Sequence, residues 1–105
     1  MGAPLPTAVV DVLRGRTYSR FDSFRRAFWR EVSRVPELAD QFIDDNLKNL
    51  QKGSSPGVRH DEKYGKRYRY EMHHLIRIVD GGGVYDVENL RVNTPRNHVR
   101  LHSGD

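Results

Sequence analysis

The chain has 105 residues, 36% hydrophobic and 30% charged, enough for one domain with one modest core, and no apolar run approaches the ~20 residues of a membrane span. It has no cysteine, which removes disulfides, thiol catalysis and cysteine-ligated zinc modules, so any metal must be held by histidine and oxygen. The net charge of +4 suits a polyanionic partner, although it is spread evenly: residues 1–58 and 59–105 each carry nine Lys/Arg against seven Asp/Glu. Pro4 and Pro6 open the chain as an extended lead, with nothing that reads as a signal peptide, into TAVVDVLRG. That segment offers one short apolar face and stops at Gly15. Ser19 and Asp22 form an S-x-x-D start signal for a helix. Phe21, Phe24, Phe28 and Val32 then recur at helical spacing, with Arg25, Arg26, Arg30 and Glu31 on the other side. An aromatic stripe at this spacing reads as core, with Trp29 at its edge.

Pro36 suits the first turn of a further helix, PELADQFIDDNLKNLQ, in which Leu38, Phe42, Ile43 and Leu47 share a face and Gly53 supplies the end. The segment KGSSPGVRHDEKYGK follows as a loop of glycine, serine, proline and charge, long for a compact domain. Within residues 59–69, RHDEKYGKRYR sets five cations against Asp61 and Glu62; by itself such a run is more often a solvated face than a binding site. The alternation of RYRYEMH predicts a half-buried strand over residues 67–73. Tyr68, Tyr70 and Met72 lie on one face; Arg67, Arg69, Glu71 and His73 lie on the other. After DGGG, NLRVNT resumes the alternation through Leu90 and Val92. Thr94 and Pro95 then begin a helix as N-cap and first helical residue. The class is α+β: one mainly helical domain over residues 1–105, with a helical scaffold (1–52), a loop (53–66) and a C-terminal ββα motif (67–105).

Four of the five histidines fall in that motif. His98 and His102 are one helical turn apart, so both project from one face and can chelate one ion. His73 or His74 supplies a third ligand from the strand, and the other is left as a base beside the site. Three protein ligands leave a position open for water or substrate, the arrangement of catalytic rather than structural sites. Neutral imidazoles favour zinc, nickel, copper or iron. Taken singly, each histidine is more often a surface or satisfied core residue than a ligand. The order of His pair, glycine turn, asparagine and helical His pair is what raises the metal reading.

This order, together with GAPLP, FDSFRRAFWREVS, PELA, YEMHH, GGGVYDVENLRVNTP and the closing H-V-R-L-H, resembles the HNH (ββα-metal) endonucleases. It is most similar to the cytotoxic DNase domains of E-group colicins and S-type pyocins. The likeness covers nearly the whole chain. It implies that His73, His98 and His102 bind one divalent metal ion (zinc, nickel or magnesium) and that His74 is the general base. It implies further that Asn89 holds the two strands in place for His74, and that Glu71 and Arg67 pair beside the site, with Arg67 also reaching the phosphate. Lys66, Arg69 and Arg96 are the other cations expected against DNA.

The family commonly has Asp, a basic residue and Pro after the HH pair, where this chain has Leu75, Ile76 and Arg77. It also usually carries a basic stretch before GAP, where this chain has Met1 and Gly2, so some non-specific DNA affinity is expected to be missing. The implied partners are double-stranded DNA and an acidic cognate immunity protein, docking near Ser54, Gly57, Val58, Arg59, Lys63 and Tyr64. The implied setting is a secreted bacteriocin whose nuclease domain is a monomer. It would act in the cytoplasm of the target bacterium and be held by its immunity protein in the producer. The alternative from another class is a non-catalytic nucleic-acid-binding module stabilised by a histidine-bound metal; it would need neither His74 nor Arg67.

Overall fold

The computed structural model describes residues 3–74 and 89–102, with side chains as far as Arg100. In chain order the described elements are β1 (Ala3–Pro4), α1 (Thr7–Leu13), α2 (Phe21–Arg34), α3 (Pro36–Ala39), α4 (Asp44–Gln51), a 3-10 turn (His60–Glu62), β2 (Glu71–His74), β3 (Leu90–Asn93) and α5 (Pro95–His102). The expected glycine turn and the departures at Leu75, Ile76 and Arg77 lie outside the described residues. The chain divides into two compact units, Pro6–Pro56 on the one hand and Met1–Leu5 with Gly57–Asp105 on the other.

The first unit is helical, and α1, α3 and α4 all pack against α2. The aromatic stripe does become core: Phe24, Phe28 and Val32 are buried with Val9, Val10 and Leu13 of α1 and Leu50 of α4. Trp29 is buried too rather than lying at the edge, its ring edge-on to Phe28 with centroids 4.8 Å apart. Burial of such rings removes a large apolar area from water and dominates the stability of a small core.

Three local expectations for this unit are corrected by the fold. Ser19 does not cap α2; Arg20 is the N-cap, with no side-chain hydrogen bond, and Asp22 instead accepts from Arg26 Nε at 2.9 Å. Glu31 is not on the solvent face but 6% exposed, its carboxylate taken by Arg34 Nη1 at 2.5 Å. The helix expected from Pro36 to Gln51 is two helices. α3 ends at Ala39, and Ile43, in extended backbone, becomes the N-cap of α4. Asp44 and Asp45 then occupy the first turn of α4, where the helix dipole favours carboxylates. That break turns Ile43 outward, to 72% exposure.

Gly53 terminates α4 as the sequence suggests, at φ +86°. Its N–H donates to Leu50 O at 2.9 Å, and Ser54 N–H donates to Asn49 O at 2.8 Å, the paired bonds of a Schellman cap. A Cβ there would stand 3.1 Å from Arg26 Cβ and 3.2 Å from Arg26 O, so glycine is required by space as well as by φ.

In the second unit a three-stranded antiparallel sheet has the order β1-β3-β2. The opening residues, expected only as an extended lead, pair Ala3 with Val92 and Pro4 with Arg91. Proline is tolerated there because β1 is an edge strand, where a missing N–H costs little. Leu90, fully buried, anchors β3. Thr94 caps α5 as expected: its Oγ1 accepts from Asn97 N–H at 3.2 Å, and His98 N–H donates to Thr94 O at 2.9 Å.

The strand expected over residues 67–73 is shorter, and its one buried residue comes from the otherwise charged face. β2 runs from Glu71 to His74 and buries His73, whereas Tyr68 is 50% exposed. Residues before Glu71 bridge back to the loop instead, Arg67 to Tyr64 and Arg69 to Gly57. Gly65, at φ +59°, makes the tight turn between Tyr64 and Arg67, whose backbones exchange hydrogen bonds of 3.0 and 2.9 Å. The loop over residues 53–66 therefore carries regular structure that its composition does not announce.

Candidate metal centre

The geometry of the site begins with register. In β2 and β3 the paired residues are Glu71 with Asn93, Met72 with Val92, His73 with Arg91 and His74 with Leu90. The chain then leaves β3 at Asn93 and enters α5 at Pro95, so one helical turn carries it to His98. There the His98 ring stacks on the His73 ring, with centroids 4.7 Å apart and planes 27° from parallel. Two of the three expected ligands, 25 residues apart in sequence, are thus neighbours. His102 closes α5 one turn further on, and its side chain lies outside the described residues.

Glu71 organises this pair. One of its oxygens, Oε1, lies 2.8 Å from His98 Nδ1. The same carboxylate receives Arg67 in a two-pronged pair, Nε to Oε2 at 2.8 Å and Nη2 to Oε1. The Arg67 guanidinium, and then His98, hold the Glu71 carboxyl below the usual carboxylate range, although partial burial opposes them; the same pair raises Arg67 above its own. A carboxylate on one imidazole nitrogen fixes the tautomer and orients the opposite nitrogen, the arrangement that surrounds metal-bound histidines.

Among the described residues no group of three metal-ligating side chains is formed. The donors present nevertheless fit a divalent ion of borderline softness. His73 and His98 are adjacent imidazoles, and the second is backed by a carboxylate.

His74, next to His73 on a pleated strand, faces the opposite side and is half-buried. Its register partner Leu90 is preceded by Asn89, which is buried, so the expected strand-holding asparagine sits one residue from the level of the expected base. What Asn89 does toward residues 75–88 lies outside the described residues. Of the expected DNA-contacting cations, Lys66, Arg67 and Arg96 are exposed, and the Arg69 guanidinium lies 5.3 Å from the centre of the Tyr68 ring. Of the expected partner residues, Ser54 belongs to the helical unit, and Gly57, Val58, Arg59, Lys63 and Tyr64 belong to the other. Tyr64 is half exposed and Arg59 pairs with Asp61 at 3.5 Å on the surface, while Val58 N–H is spent on Tyr68 O at 2.9 Å.

Among the described residues, two side-chain contacts between distant elements of this unit have no counterpart among the sequence expectations. One is Glu71 with His98, 27 residues apart; the other is Glu62 with Thr94, 32 apart, at 2.7 Å. Neither carries a local signal, because neither is made within one element.

Known proteins resemble this chain in sequence and in fold. Residues 1–103 match the family described as Colicin/Pyocin-S2, DNase domain. Over 103 residues the chain is 46% identical to Colicin-E2 of Escherichia coli, covering 98% of this chain and 18% of that protein. It is likewise 46% identical to Colicin-E8 of Escherichia coli, covering 98% of this chain and 50% of that protein. The chain therefore spans half or less of the length of these relatives. Among solved structures, the pyocin AP41 DNase–immunity complex contains a chain that superposes with a TM-score of 0.95 at 30% identity, covering 97% of this chain and 80% of that one.

Proposed function

The chain belongs to the colicin and pyocin DNase domain family, and from that premise we propose that it is a metal-dependent, sequence-tolerant DNA endonuclease, the toxic domain of a bacteriocin. The observation that carries the metal reading is the stacked His73–His98 pair with Glu71 on His98 Nδ1. His73, His98 and His102 hold one divalent ion, which when bound supplies Lewis-acid stabilisation of charge at the phosphate. His74 takes the proton from the water that attacks phosphorus, while the bond from phosphorus to the leaving oxygen breaks and that oxygen takes a proton from solvent. Arg67, fixed by Glu71 along one edge of its guanidinium, offers its remaining donors to a phosphate oxygen. Lys66, Arg69 and Arg96 add phosphate contacts, which position DNA without reading its sequence. Asn89 keeps β3 in place against His74.

The binding-module alternative has no use for a base beside the ligands or for a carboxylate-clamped arginine. Supercoiled plasmid incubated with the protein and Mg²⁺, Ni²⁺ or Zn²⁺ is expected to be nicked, and chelator is expected to stop it. Metal-dependent DNA retention in a gel shift, with the plasmid intact under every ion, would establish the alternative.

A sequence-tolerant nuclease is dangerous to its producer. The reading therefore includes an acidic immunity protein that docks on the loop between α4 and β2, with the toxin secreted to act in the cytoplasm of other bacteria as a monomeric nuclease domain. Exposed Tyr64 and the cations Arg59 and Lys63 suit salt-sensitive association with an acidic partner. Combined substitution of Arg59, Lys63 and Tyr64 with alanine is expected to weaken the cognate complex by ~10²-fold or more while nicking persists, at about the scale of one buried hot spot. A complex of unchanged affinity, measured by calorimetry, would move the docking surface elsewhere.

A further inference from the structure

The corner between β3 and α5 is tied to a distant piece of chain. Glu62, the last residue of the 3-10 turn, accepts the Thr94 hydroxyl at 2.7 Å. Thr94 Oγ1 in turn accepts the Asn97 N–H that opens α5. Asn93, buried and paired with Glu71 across the sheet, accepts from Thr94 N–H at 3.1 Å and from Asn97 Nδ2 at 2.6 Å. Four residues after Thr94 comes His98, against His73 and Glu71. The rotation and height of α5 decide whether those contacts are made, and these bonds hold its first turn.

Thr94 can place its own oxygen toward Asn97 in several hydroxyl rotations. Glu62 fixes the hydroxyl proton in one direction and leaves the lone pairs toward the helix. A carboxylate at a helix N-terminus also meets the positive end of the helix dipole. No residue of the nuclease chemistry requires Glu62, and the surrounding run is cationic, which makes an acidic residue there costly for DNA association.

We propose that Glu62 is a positioning residue: through the Thr94 cap it holds α5 at the height that sets His98 against His73, so that metal affinity depends on a side chain in the 3-10 turn. This rests on the histidine site proposed above. Because the turn lies within the loop assigned to the protein partner, the same contact couples that loop to the metal ligands.

The test titrates Ni²⁺ calorimetrically into the wild-type chain and into Glu62→Ala, Glu62→Gln, Thr94→Val, the double variant Glu62→Ala/Thr94→Val, and His98→Ala, with circular dichroism to show that each is folded. Glu62→Ala is expected to weaken Ni²⁺ binding by roughly tenfold, the lower end of what outer-shell partners of metal ligands contribute. Glu62→Gln keeps an oxygen acceptor for the Thr94 hydroxyl and recovers most of that loss. The double variant is expected to bind no worse than Thr94→Val alone, because both changes break one chain of contacts. If Glu62→Ala unfolds, Glu62→Ser takes its place: a loss that Glu62→Gln recovers supports the proposal, and wild-type Ni²⁺ affinity overturns it. A folded Glu62→Ala variant with wild-type Ni²⁺ affinity reduces Glu62 to a surface charge and overturns the proposal alone. If His98→Ala itself binds Ni²⁺ as the wild type does, the histidine site falls and the proposal falls with it.

Discussion

His98→Ala is expected to remove most of the stabilisation by metal. The ion binds the folded chain, so at a hundredfold excess over its Kd it adds about 2.7 kcal/mol to stability. In a domain of this size that raises Tm by on the order of 10 °C. Removing the His98 ring deletes one of the proposed ligands, and it also releases Glu71 from one side of its double role, since Oε1 sits 2.8 Å from Nδ1. The loss should exceed the roughly 10–100-fold that outer-shell changes cause. The shift of Tm with added Ni²⁺ or Zn²⁺ should therefore shrink to a degree or two, and nicking should disappear with it. His102→Ala is expected to behave in the same way. A thermal scan in which both variants still rise by the wild-type amount would remove the histidines from the metal assignment.

His74→Ala is expected to separate chemistry from assembly. His74 shares β2 with His73 but points from the opposite face of the strand, so its removal leaves the His73–His98 stack and the Glu71 contacts in place. Metal-induced stabilisation and DNA retention in a gel shift should stay near wild type. Plasmid nicking should fall by ~10²-fold or more, the usual contribution of a positioned general base. Nicking at the wild-type rate would assign the base elsewhere, and a parallel loss of metal stabilisation would make His74 a ligand instead.

Much of this protein is legible locally. The Phe21, Phe24, Phe28 and Val32 spacing sufficed to find α2, because a helix's buried face is a matter of its own period. Thr94 and Pro95 marked the start of α5, and Gly53 the end of α4, because caps are made by residues within a turn of one another. The histidine pair four residues apart on α5 and the adjacent pair on β2 are candidate ligands by spacing alone, since one helical turn or one strand step fixes their mutual direction.

Tertiary structure decided the rest, and the reason is sequence separation. An apolar pattern ran unbroken from Leu38 to Leu47, yet the chain leaves the helix after Ala39 and exposes Ile43, since two short helices each pack on α2. Strict alternation over residues 67–73 could not say which face is buried. That depends on register with β3, which places buried His73 opposite Arg91 and ends before Tyr68 is reached. The pairing of Ala3–Pro4 with β3 joins segments far apart in the chain, across a span that no periodicity encodes. Residue types and spacing nominated His73 and His98, and the family resemblance nominated Glu71; the 27-residue contact between Glu71 and His98, and the 32-residue contact between Glu62 and Thr94, exist because β2, β3, α5 and the 3-10 turn are brought to one corner. A carboxylate carries no mark of which donor it will meet. Only the fold supplies the donor.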